Sequence, residues 1–470
     1  MRSTKIVATI GPASRKPEVL ERMVGAGLDV ARLNFAHGTP AEHAETVAHI
    51  RAAAEKVGRV VAILGDLPGP KLRLGPVAGG VAVLGRGREV TLTQDQAEGT
   101  AERLPVAWRG LGELVDAGDV CYLADGAVRL RVKEVHDGDV NTEVEVGGSV
   151  ASRQGLNLPN LTVSLPAVSE DDLALVDAGL DMGIDFLALS FVRRREDLEP
   201  VREHLRRRGR ELPLIAKIEK PQAAANAEEI VEHADGVMIA RGDLGIELPT
   251  QEVPLVQKRI LAMAGRRAVP TITATQMLES MVHASRPTRA EVADVANAIF
   301  DGTDAVMLSQ ETAVGKYPVE AVEMMAAIAE STDRELPYGR WLAERGPQAN
   351  NPYQAISFGA VGAVYQLGLK AIVSPTRTGA TVRLISAYRP KAPVLALSMH
   401  PEVVRWCCLL WGVHARLNEE PQHTTDLIDS CAQAAVDEGL ARPGDTIGIT
   451  AGLPAGRSGG TNLFKVHVIE

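Results

Sequence analysis

The chain has 470 residues, 45% of them hydrophobic and 23% charged, and a formal net charge of -10 at pH 7. This length predicts two or three domains, and the acidic balance argues against nucleic acid or an anionic membrane as the main partner, although it leaves room for a local basic site that binds a small anion. Four cysteines without disulfide or CxxC spacing, no signal-like core and no apolar run of about 18 residues predict a cytoplasmic protein with no membrane partner.

Short apolar, β-branched segments alternate with amphipathic helical segments through the first two thirds of the chain. There are eight of them: KIVATIG, LDVARLNF, RVVAILGD, IDFLALSF, LPLIAKIE, DGVMIARGD, VPTITATQ and TDAVMLSQE. Apolar strands that alternate with helices predict a parallel sheet buried on both faces, and eight units predict a closed (β/α)8 TIM barrel. An open, doubly wound sheet is the alternative.

The alternation is interrupted once, after the third strand. Residues 67–162 instead show period-two alternation and hairpin turns, as in VCYLADGAVRLRVKEVHDGDVNTEVEV, which predict an inserted all-β domain, a small β-barrel. An insertion at the carboxyl end of a barrel strand would lie over the barrel mouth, where it could act as a lid. The barrel itself would then consist of residues 1–66 and 163–335.

A new α/β pattern occupies residues 336–470. Its predicted strands are LKAIVSP, APVLALS, GVHARL, DTIGITAG and NLFKVHVI. This segment is predicted to be a C-terminal α/β domain.

Polar residues collect at the carboxyl ends of the predicted barrel strands, which face one common mouth. They are Arg32, Asn34, Asp66, Ser190, Lys217, Glu219, Asp243, Thr275 and Gln276. Glu219 and Asp243, from neighbouring strands, suit Mg²⁺ or Mn²⁺, which leaves its other positions to water and substrate oxygens. A metal with Arg32 and Lys217 is the usual equipment of phosphoryl transfer. Ordinary ion pairing at the rim is the alternative, but burying so many charges without a ligand would be costly.

Long motifs over nearly the whole chain resemble those of the pyruvate kinase family. They are TKIVATIGPAS, VARLNFAHG, GLNLPNLTVSLPAVSEDD, LIAKIEKP, ARGDLGIELP, TATQMLESM, PTRAEVADVANAIFDGTDAVMLSQETAVGKYP and ITAGLPAGRSGGTNLFKVHVI. The resemblance implies a Mg²⁺- or Mn²⁺-dependent enzyme of glycolysis that transfers the phosphoryl group of phosphoenolpyruvate to ADP, giving pyruvate and ATP. It also implies a homotetramer.

The resemblance assigns roles to the residues at the mouth. Lys217 would lie against the transferring phosphoryl group, Arg32 would bind phosphate, and Thr275 would act with water in protonating the enolate. Glu219 and Asp243 would bind the divalent metal, Ser190 and Gly242 would line the substrate site, and Asn34, His37, Asp66 and Arg73 would surround the nucleotide and cation sites. A purely structural role is the alternative for His37.

Two residues depart from the family pattern. Gln310 stands where the family usually has glycine, which predicts a changed loop after the eighth strand. Gln154 stands where a lysine usually reaches the nucleotide phosphates, and the neighbouring Arg153 is the candidate replacement.

A third departure concerns the monovalent cation. In many members of this family K⁺ is bound by an asparagine, a serine, an aspartate and the carbonyl of a following threonine, near a glutamate. Here Asn34 and Asp66 remain, whereas the serine is Ala36, the threonine is Leu67 and the glutamate is Lys71. A lysine ammonium is a compact point charge, so Lys71 is predicted to replace K⁺, as in a K⁺-independent branch of the family. A solvent-exposed hinge lysine is the alternative.

The segment VSPTRTGATVRLISAYRP predicts a strand, a loop and a helix in the C-terminal domain. Loop amides at a helix amino terminus can bind phosphate, and the resemblance places a phosphorylated allosteric effector at Thr376, Arg377, Thr378, Gly379 and Thr381. A helix cap with a turn is the alternative, since threonine and glycine serve that purpose alone.

Two other functions compete with this prediction. A catalytically silent relative that senses phosphorylated metabolites would be expected to lack the metal-binding or charge-neutralising residues, which are all present here. Another barrel enzyme of phosphoenolpyruvate or pyruvate, such as an aldolase, would not be expected to carry the inserted β-domain and the third domain.

Overall fold

The computed structural model describes residues 2–69, 72–95, 97–108, 110–158, 166–345, 351–419, 423–452 and 460–470. In chain order the strands are β1 (Lys5–Thr9), β2 (Val30–Asn34), β3 (Ala62–Leu67), β4 (Val81–Leu84), β5 (Glu89–Thr93), β6 (Arg103–Pro105), β7 (Val120–Leu123), β8 (Val128–His136), β9 (Asp139–Val146), β10 (Gly148–Ala151), β11 (Leu156–Asn157), β12 (Phe186–Leu189), β13 (Leu214–Ile218), β14 (Gly236–Ala240), β15 (Thr271–Ala274), β16 (Ala305–Leu308), β17 (Ile372–Pro375), β18 (Val394–Ser398), β19 (Val413–Leu417), β20 (Thr446–Gly452) and β21 (Thr461–Val468).

The α-helices are α1 (Pro17–Ala26), α2 (Pro40–Val57), α3 (Glu170–Met182), α4 (Glu199–Arg207), α5 (Pro221–Ala225), α6 (Ala227–His233), α7 (Arg241–Glu247), α8 (Val253–Arg266), α9 (Arg289–Phe300), α10 (Gln310–Ala313), α11 (Pro318–Asp333), α12 (Tyr338–Arg345), α13 (Pro352–Leu367), α14 (Ala380–Ala387), α15 (Pro401–Trp406) and α16 (Thr424–Asp437). Several begin at a side chain that caps free backbone N–H groups, as Thr39 and Glu42 do for α2. Among the described residues, none of the helices combines the length and the apolar character needed to cross a membrane.

The eight predicted barrel segments form one closed parallel barrel, in the order β1-β16-β15-β14-β13-β12-β3-β2. The predicted TIM barrel is therefore confirmed, and the open-sheet alternative is wrong. Strands such as β1 and β13 are buried along their whole length because helices cover the outside and side chains fill the inside, whereas Arg32 and Asn34 of β2 are partly exposed. Closure brings the carboxyl ends of all eight strands around one mouth.

The inserted all-β domain lies between β3 and β12, as predicted. Its strands form a six-stranded sheet in the order β11-β7-β8-β9-β5-β6 and a two-stranded sheet of β10 and β4. Alternate residues such as Leu130 and Val132 of β8 point into one apolar core.

The C-terminal α/β domain contains a five-stranded sheet in the order β19-β18-β17-β20-β21, with only β21 antiparallel. It packs against the amino-terminal end of the barrel, where Cys408 and Leu409 join the apolar barrel interior. Arg389, which is 1% exposed, binds Asp304 of the barrel at 2.7 Å and lies over the Trp411 ring. Removing one partner of such a buried pair typically costs about 3–5 kcal/mol, so this contact holds the two domains together.

Candidate active site

The pleat of the barrel strands explains why charged residues reach the mouth. Successive inward-facing residues of a strand are two positions apart. On β13, Ile215 packs in the apolar barrel interior, Lys217 follows one layer higher and Glu219 stands just beyond the strand. The same spacing on β3 places Leu64 in the interior and Asp66 at the mouth.

Asp66 joins two basic residues from different strands. Its Oδ2 accepts a hydrogen bond from Arg32 Nε at 2.6 Å, and its Oδ1 lies 3.1 Å from Lys217 Nζ. Burial would raise the pKa of Asp66, but Lys217 and Arg32 outweigh it and lower the pKa. The carboxylate therefore stays ionised and holds both cations at the mouth.

Lys217 has three oxygen partners. Besides Asp66, its Nζ lies 2.9 Å from Glu219 Oε1 and donates to Ser190 Oγ at 2.7 Å. Burial alone would lower the pKa of Lys217, but Asp66 and Glu219 outweigh it and raise the pKa. This places a permanent positive charge where only 10% of the lysine side chain is exposed to solvent.

The two proposed metal ligands lie on different elements. Glu219 follows β13 directly, whereas Asp243 lies in the first turn of α7, not at the end of a strand, because β14 ends at Ala240. Burial raises the pKa of Glu219. Lys217 acts in the opposite direction, but the negative charge of Asp243 raises the pKa further. A cation between the carboxylates would relieve this repulsion, so the pair fits a divalent metal.

Across the described part of the chain, no group of three or more His, Cys, Asp or Glu side chains is arranged to hold a metal ion. Two carboxylates are nevertheless sufficient, because Mg²⁺ is commonly bound by one or two protein carboxylates and fills its other positions with water and substrate oxygens.

Thr275 has a strained backbone at the end of β15. Its φ of 70° is unusual for a β-branched residue, and Gln276 follows with φ 55°. The Thr275 hydroxyl accepts from Gly242 N–H and donates to the Ala274 carbonyl, both at 2.6 Å. A Cβ on Gly242 would lie 3.3 Å from that hydroxyl, so a glycine allows this close approach.

The residues assigned to the nucleotide lie at the rim of the mouth. Partial desolvation of the imidazole, together with the positive charges of Arg73 and Arg32, lowers the pKa of His37. The imidazole is therefore neutral at pH 7, and the positive charge at this rim comes from the arginines.

The two glutamine departures have local roles in the structure. Gln154 Oε1 accepts from the backbone N–H of Ala151 at 2.8 Å and so closes a turn of the β-domain. The carbonyl of Arg153 accepts from Arg73 Nη1 at 3.3 Å. Gln310 begins the four-residue helix α10 immediately after β16.

Lys71 lies outside the described residues. The other oxygens of the predicted cation site belong to described residues, and each accepts a hydrogen bond from a protein group. Asn34 Oδ1 accepts from the Ala36 N–H at 3.2 Å, and the Leu67 carbonyl accepts from Ser190 Oγ at 2.7 Å.

The predicted effector loop connects β17 to α14. Thr376 Oγ1 accepts from Gly379 N–H at 2.9 Å, Thr378 Oγ1 accepts from Ala380 N–H at 3.4 Å, and the hydroxyls of Thr381 and Thr461 are hydrogen-bonded. Gly379, with φ 80°, is the N-cap of α14. These bonds fit a helix cap, and they also hold the loop in a fixed shape.

Two family models match this chain. Residues 1–322 match the family model of the pyruvate kinase barrel domain, and residues 354–467 match that of the pyruvate kinase alpha/beta domain. The chain belongs to the pyruvate kinase family. It is therefore a phosphotransferase, and the resemblance predicted from the sequence motifs is confirmed.

Individual pyruvate kinases are similar to this chain over its full length. A pyruvate kinase of Geobacillus stearothermophilus is 44% identical over 100% of this chain and 81% of its own length. One from Thermococcus litoralis is 43% identical over 99% of this chain and 98% of its own length. One from Staphylococcus aureus is 41% identical over 100% of this chain and 81% of its own length.

Several residues that contact the candidate site residues were missed in the sequence. Thr9 accepts from Arg32 Nη1 at 2.8 Å, and Arg241 donates to the carbonyl of Thr275 at 2.9 Å. The N–H of Phe191 donates to Glu219 Oε2 at 2.8 Å. Thr9 lies within the first predicted segment and is the last residue of β1, so the rule that found the other mouth residues could have found it.

Proposed function

We propose that this member of the pyruvate kinase family transfers the phosphoryl group of phosphoenolpyruvate to ADP, with Mg²⁺ or Mn²⁺ at Glu219 and Asp243. The proposal further includes independence from K⁺, activation by a phosphorylated metabolite, a homotetramer and a cytoplasmic location. The observation that carries it is the ion-pair chain from Arg32 through Asp66 to Lys217 and Glu219, which holds two basic side chains in fixed positions at the mouth of the barrel.

The catalytic role of Lys217 follows from its contacts. Its ammonium is held by Asp66, Ser190 and Glu219, so it is already oriented before substrate arrives. A phosphoryl group that leaves phosphoenolpyruvate carries negative charge on its oxygens, and a preorganised positive charge in a water-poor site stabilises that charge strongly.

Arg32 and Thr275 complete the proposed machinery. Arg32 is fixed through Nε and Nη1 by Asp66 and Thr9, and no described residue is hydrogen-bonded to its Nη2. That nitrogen is suited to a phosphate oxygen. Thr275 would orient a water that protonates the enolate carbon after phosphoryl transfer, because its hydroxyl is held between Gly242 and the Ala274 carbonyl.

A divalent metal at Glu219 and Asp243 would neutralise charge on the substrate oxygens when bound. The chain's own part is to hold the two carboxylates in place. The Phe191 N–H fixes Glu219, and the ion pair between Lys220 and Glu247 connects the end of β13 to α7, which carries Asp243.

The proposal is tested by measuring pyruvate formed from phosphoenolpyruvate and ADP in a coupled assay with Mg²⁺. Pyruvate that forms only when both substrates and metal are present would support it. Binding of phosphorylated metabolites without turnover would instead favour a sensor.

Glu219→Gln should raise the Mg²⁺ concentration that gives half-maximal activity. The amide keeps the size of the side chain but removes a negative ligand, and because loss of even an outer partner of a metal ligand costs about 10- to 100-fold in affinity, the shift should be at least about tenfold. The measurement is a Mg²⁺ titration of activity. Glu320→Gln, which changes a half-exposed carboxylate on α11, is the control, and an unshifted curve for Glu219→Gln would remove this residue from the metal site.

Arg377→Glu should abolish activation by a phosphorylated metabolite, because it places a negative charge in the proposed phosphate loop. Allosteric coupling is typically about 1–3 kcal/mol, so in the wild type the activator should lower the half-saturating phosphoenolpyruvate concentration by about fivefold or more. Substrate curves with and without sugar phosphates and nucleoside monophosphates measure this. Arg340→Glu, on the exposed surface of α12, should keep the activation. A wild-type curve that no such compound changes would contradict the effector site.

A further inference from the structure

A cleft of about 600 Å³ lies at the end of the barrel opposite the active site, next to the C-terminal domain. One wall is formed by barrel residues around the ends of α6 and α8 and the side of α4. The other is formed by Arg383, which lies on α14 of the C-terminal domain. Clefts of this size are typical of sites for small molecules.

The side chain of Arg383 has no hydrogen-bond or ion-pair partner among the residues that the structure describes. Its Nε is buried from solvent and makes no hydrogen bond. A buried donor of a charged group without a partner costs free energy. A guanidinium that lines a cleft and lacks an acidic partner is therefore a candidate ligand-binding group.

The acidic residues of the cleft already have basic partners. The pairs are Asp235 with Arg202 at 3.2 Å, Glu232 with Arg267 at 2.9 Å, and Glu199 with Arg206 at 3.2 Å. Each carboxylate of the cleft thus has a basic partner other than Arg383.

The end of α6 does not oppose an anion in this cleft. A helix carboxyl terminus carries partial negative charge on its free carbonyls. Here the carbonyl of His233 accepts a hydrogen bond from Arg202 Nη2 at 2.5 Å. Arg202 therefore pairs with both Asp235 and the carboxyl end of this helix.

We propose that this cleft binds a small, polar organic anion whose phosphate or carboxylate group pairs with Arg383. An arginine fork matches the oxygens of either group with two parallel hydrogen bonds. The polar walls, which include His233 and the two paired arginines, suit hydroxyl groups on the rest of the molecule. This site is separate from the active site and from the loop of residues 376–381.

Such a ligand would connect the two domains, since it would contact Arg383 on α14 and the barrel wall together. α14 also begins at the proposed effector loop and is followed by Arg389, which binds Asp304 at the start of β16. A ligand in the cleft would thus hold α14 against the barrel, between the effector loop that precedes this helix and Arg389 that follows it.

The test is calorimetric titration of the full-length enzyme with glycerol 2-phosphate and, separately, with malonate. Every protein carries Arg32→Met and Arg377→Glu, so that neither the proposed phosphate site at the barrel mouth nor the effector loop contributes to binding. Adding Arg383→Met should weaken binding by about 10- to 100-fold, the loss expected for a charge-assisted hydrogen-bond pair. Arg383→Lys should weaken it less, since the charge is kept and the fork is lost.

Arg442→Met is the matched control, because this exposed arginine does not line the cleft. Hydrogen exchange should slow in residues 231–235 and in α14 when the anion binds. Tighter binding of the phosphate identifies a phosphorylated ligand, and tighter binding of malonate identifies a carboxylate ligand. Affinity that is unchanged in Arg383→Met, no binding by either probe, or equal competition by chloride would each overturn the proposal. Because pyruvate formation is assayed separately, failure here leaves the proposed enzymatic activity untouched.

Discussion

Lys217→Met should reduce turnover by about 10²–10³-fold or more while the protein still binds Mg²⁺. Removal of a single neutral donor to a developing negative charge already has about this effect, and Lys217 supplies a full charge. That charge is permanent, because Asp66 and Glu219 raise the pKa of the lysine although it is buried. The measurements are kcat at saturating substrates and a Mg²⁺ binding titration.

The variant leaves Asp66 and Glu219 without their shared partner, so its folding has to be checked by circular dichroism and thermal unfolding. Asp66 keeps its ion pair with Arg32, which should preserve the fold. Lys56→Met changes an exposed ion pair on α2 and should keep normal turnover. Near-normal turnover of a folded Lys217→Met protein would show that this ammonium does not stabilise the transferred group.

The barrel could be predicted because its strands are buried on both faces. Such strands read as continuous apolar segments, and all eight segments found in the sequence became barrel strands. The residues at their ends, such as Asp66 and Lys217, could therefore be placed at one mouth before any contact was known. The contact between them could not be predicted, because β12 lies between β3 and β13 and the sequence does not show how far the two side chains reach across it.

Asp243 shows where the same reasoning reached its limit. Its segment reads as strand followed by turn, but the chain enters α7 directly after Ala240. The Gly242 N–H then bonds the strained Thr275 from the next strand. Backbone strain of this kind is held by tertiary contacts, so no local pattern reveals it.

The Arg383 cleft could not be found from sequence for a related reason. Its walls come from residues near 199–202, 231–235, 267–269 and 383, and no motif connects these segments. Each charge looks like an ordinary surface residue in the sequence. Only the pairing pattern, in which Asp235 and Glu232 have partners and Arg383 has none among the described residues, distinguishes it.

The K⁺ proposal depends on the residues at the ends of β2 and β3, which form the predicted cation site. Asn34 Oδ1, both Asp66 oxygens and the Leu67 carbonyl already accept hydrogen bonds from protein donors. Ala36 offers no side-chain oxygen. A K⁺ ion at this site would therefore lack one side-chain ligand, which supports a built-in cation in its place.

Activity in buffer free of Na⁺ and K⁺ should therefore equal activity in K⁺, with a tetramethylammonium salt used to hold the ionic strength constant. Lys71→Glu should lose at least about tenfold in kcat/KM in that buffer, because two unit charges about 4 Å apart interact by about 4 kcal/mol at an effective dielectric constant near 20. Here an attraction to the substrate phosphates becomes a repulsion. Lys56→Glu, at an exposed site on α2, should show no such loss.

Added K⁺ should restore part of the activity of Lys71→Glu, because the introduced carboxylate and Asp66 attract a cation. The recovery should be incomplete, since Ala36 still lacks a hydroxyl ligand. The double variant Lys71→Glu with Ala36→Ser returns that oxygen and should recover more activity at lower K⁺ concentration. The graded response separates a tethered cation from a general effect of charge on the fold, because a folding defect would not respond to K⁺ through residue 36. Strong activation of the unmodified enzyme by K⁺ would refute the proposal, and Lys71 would then be an ordinary lysine at the entry to the β-domain.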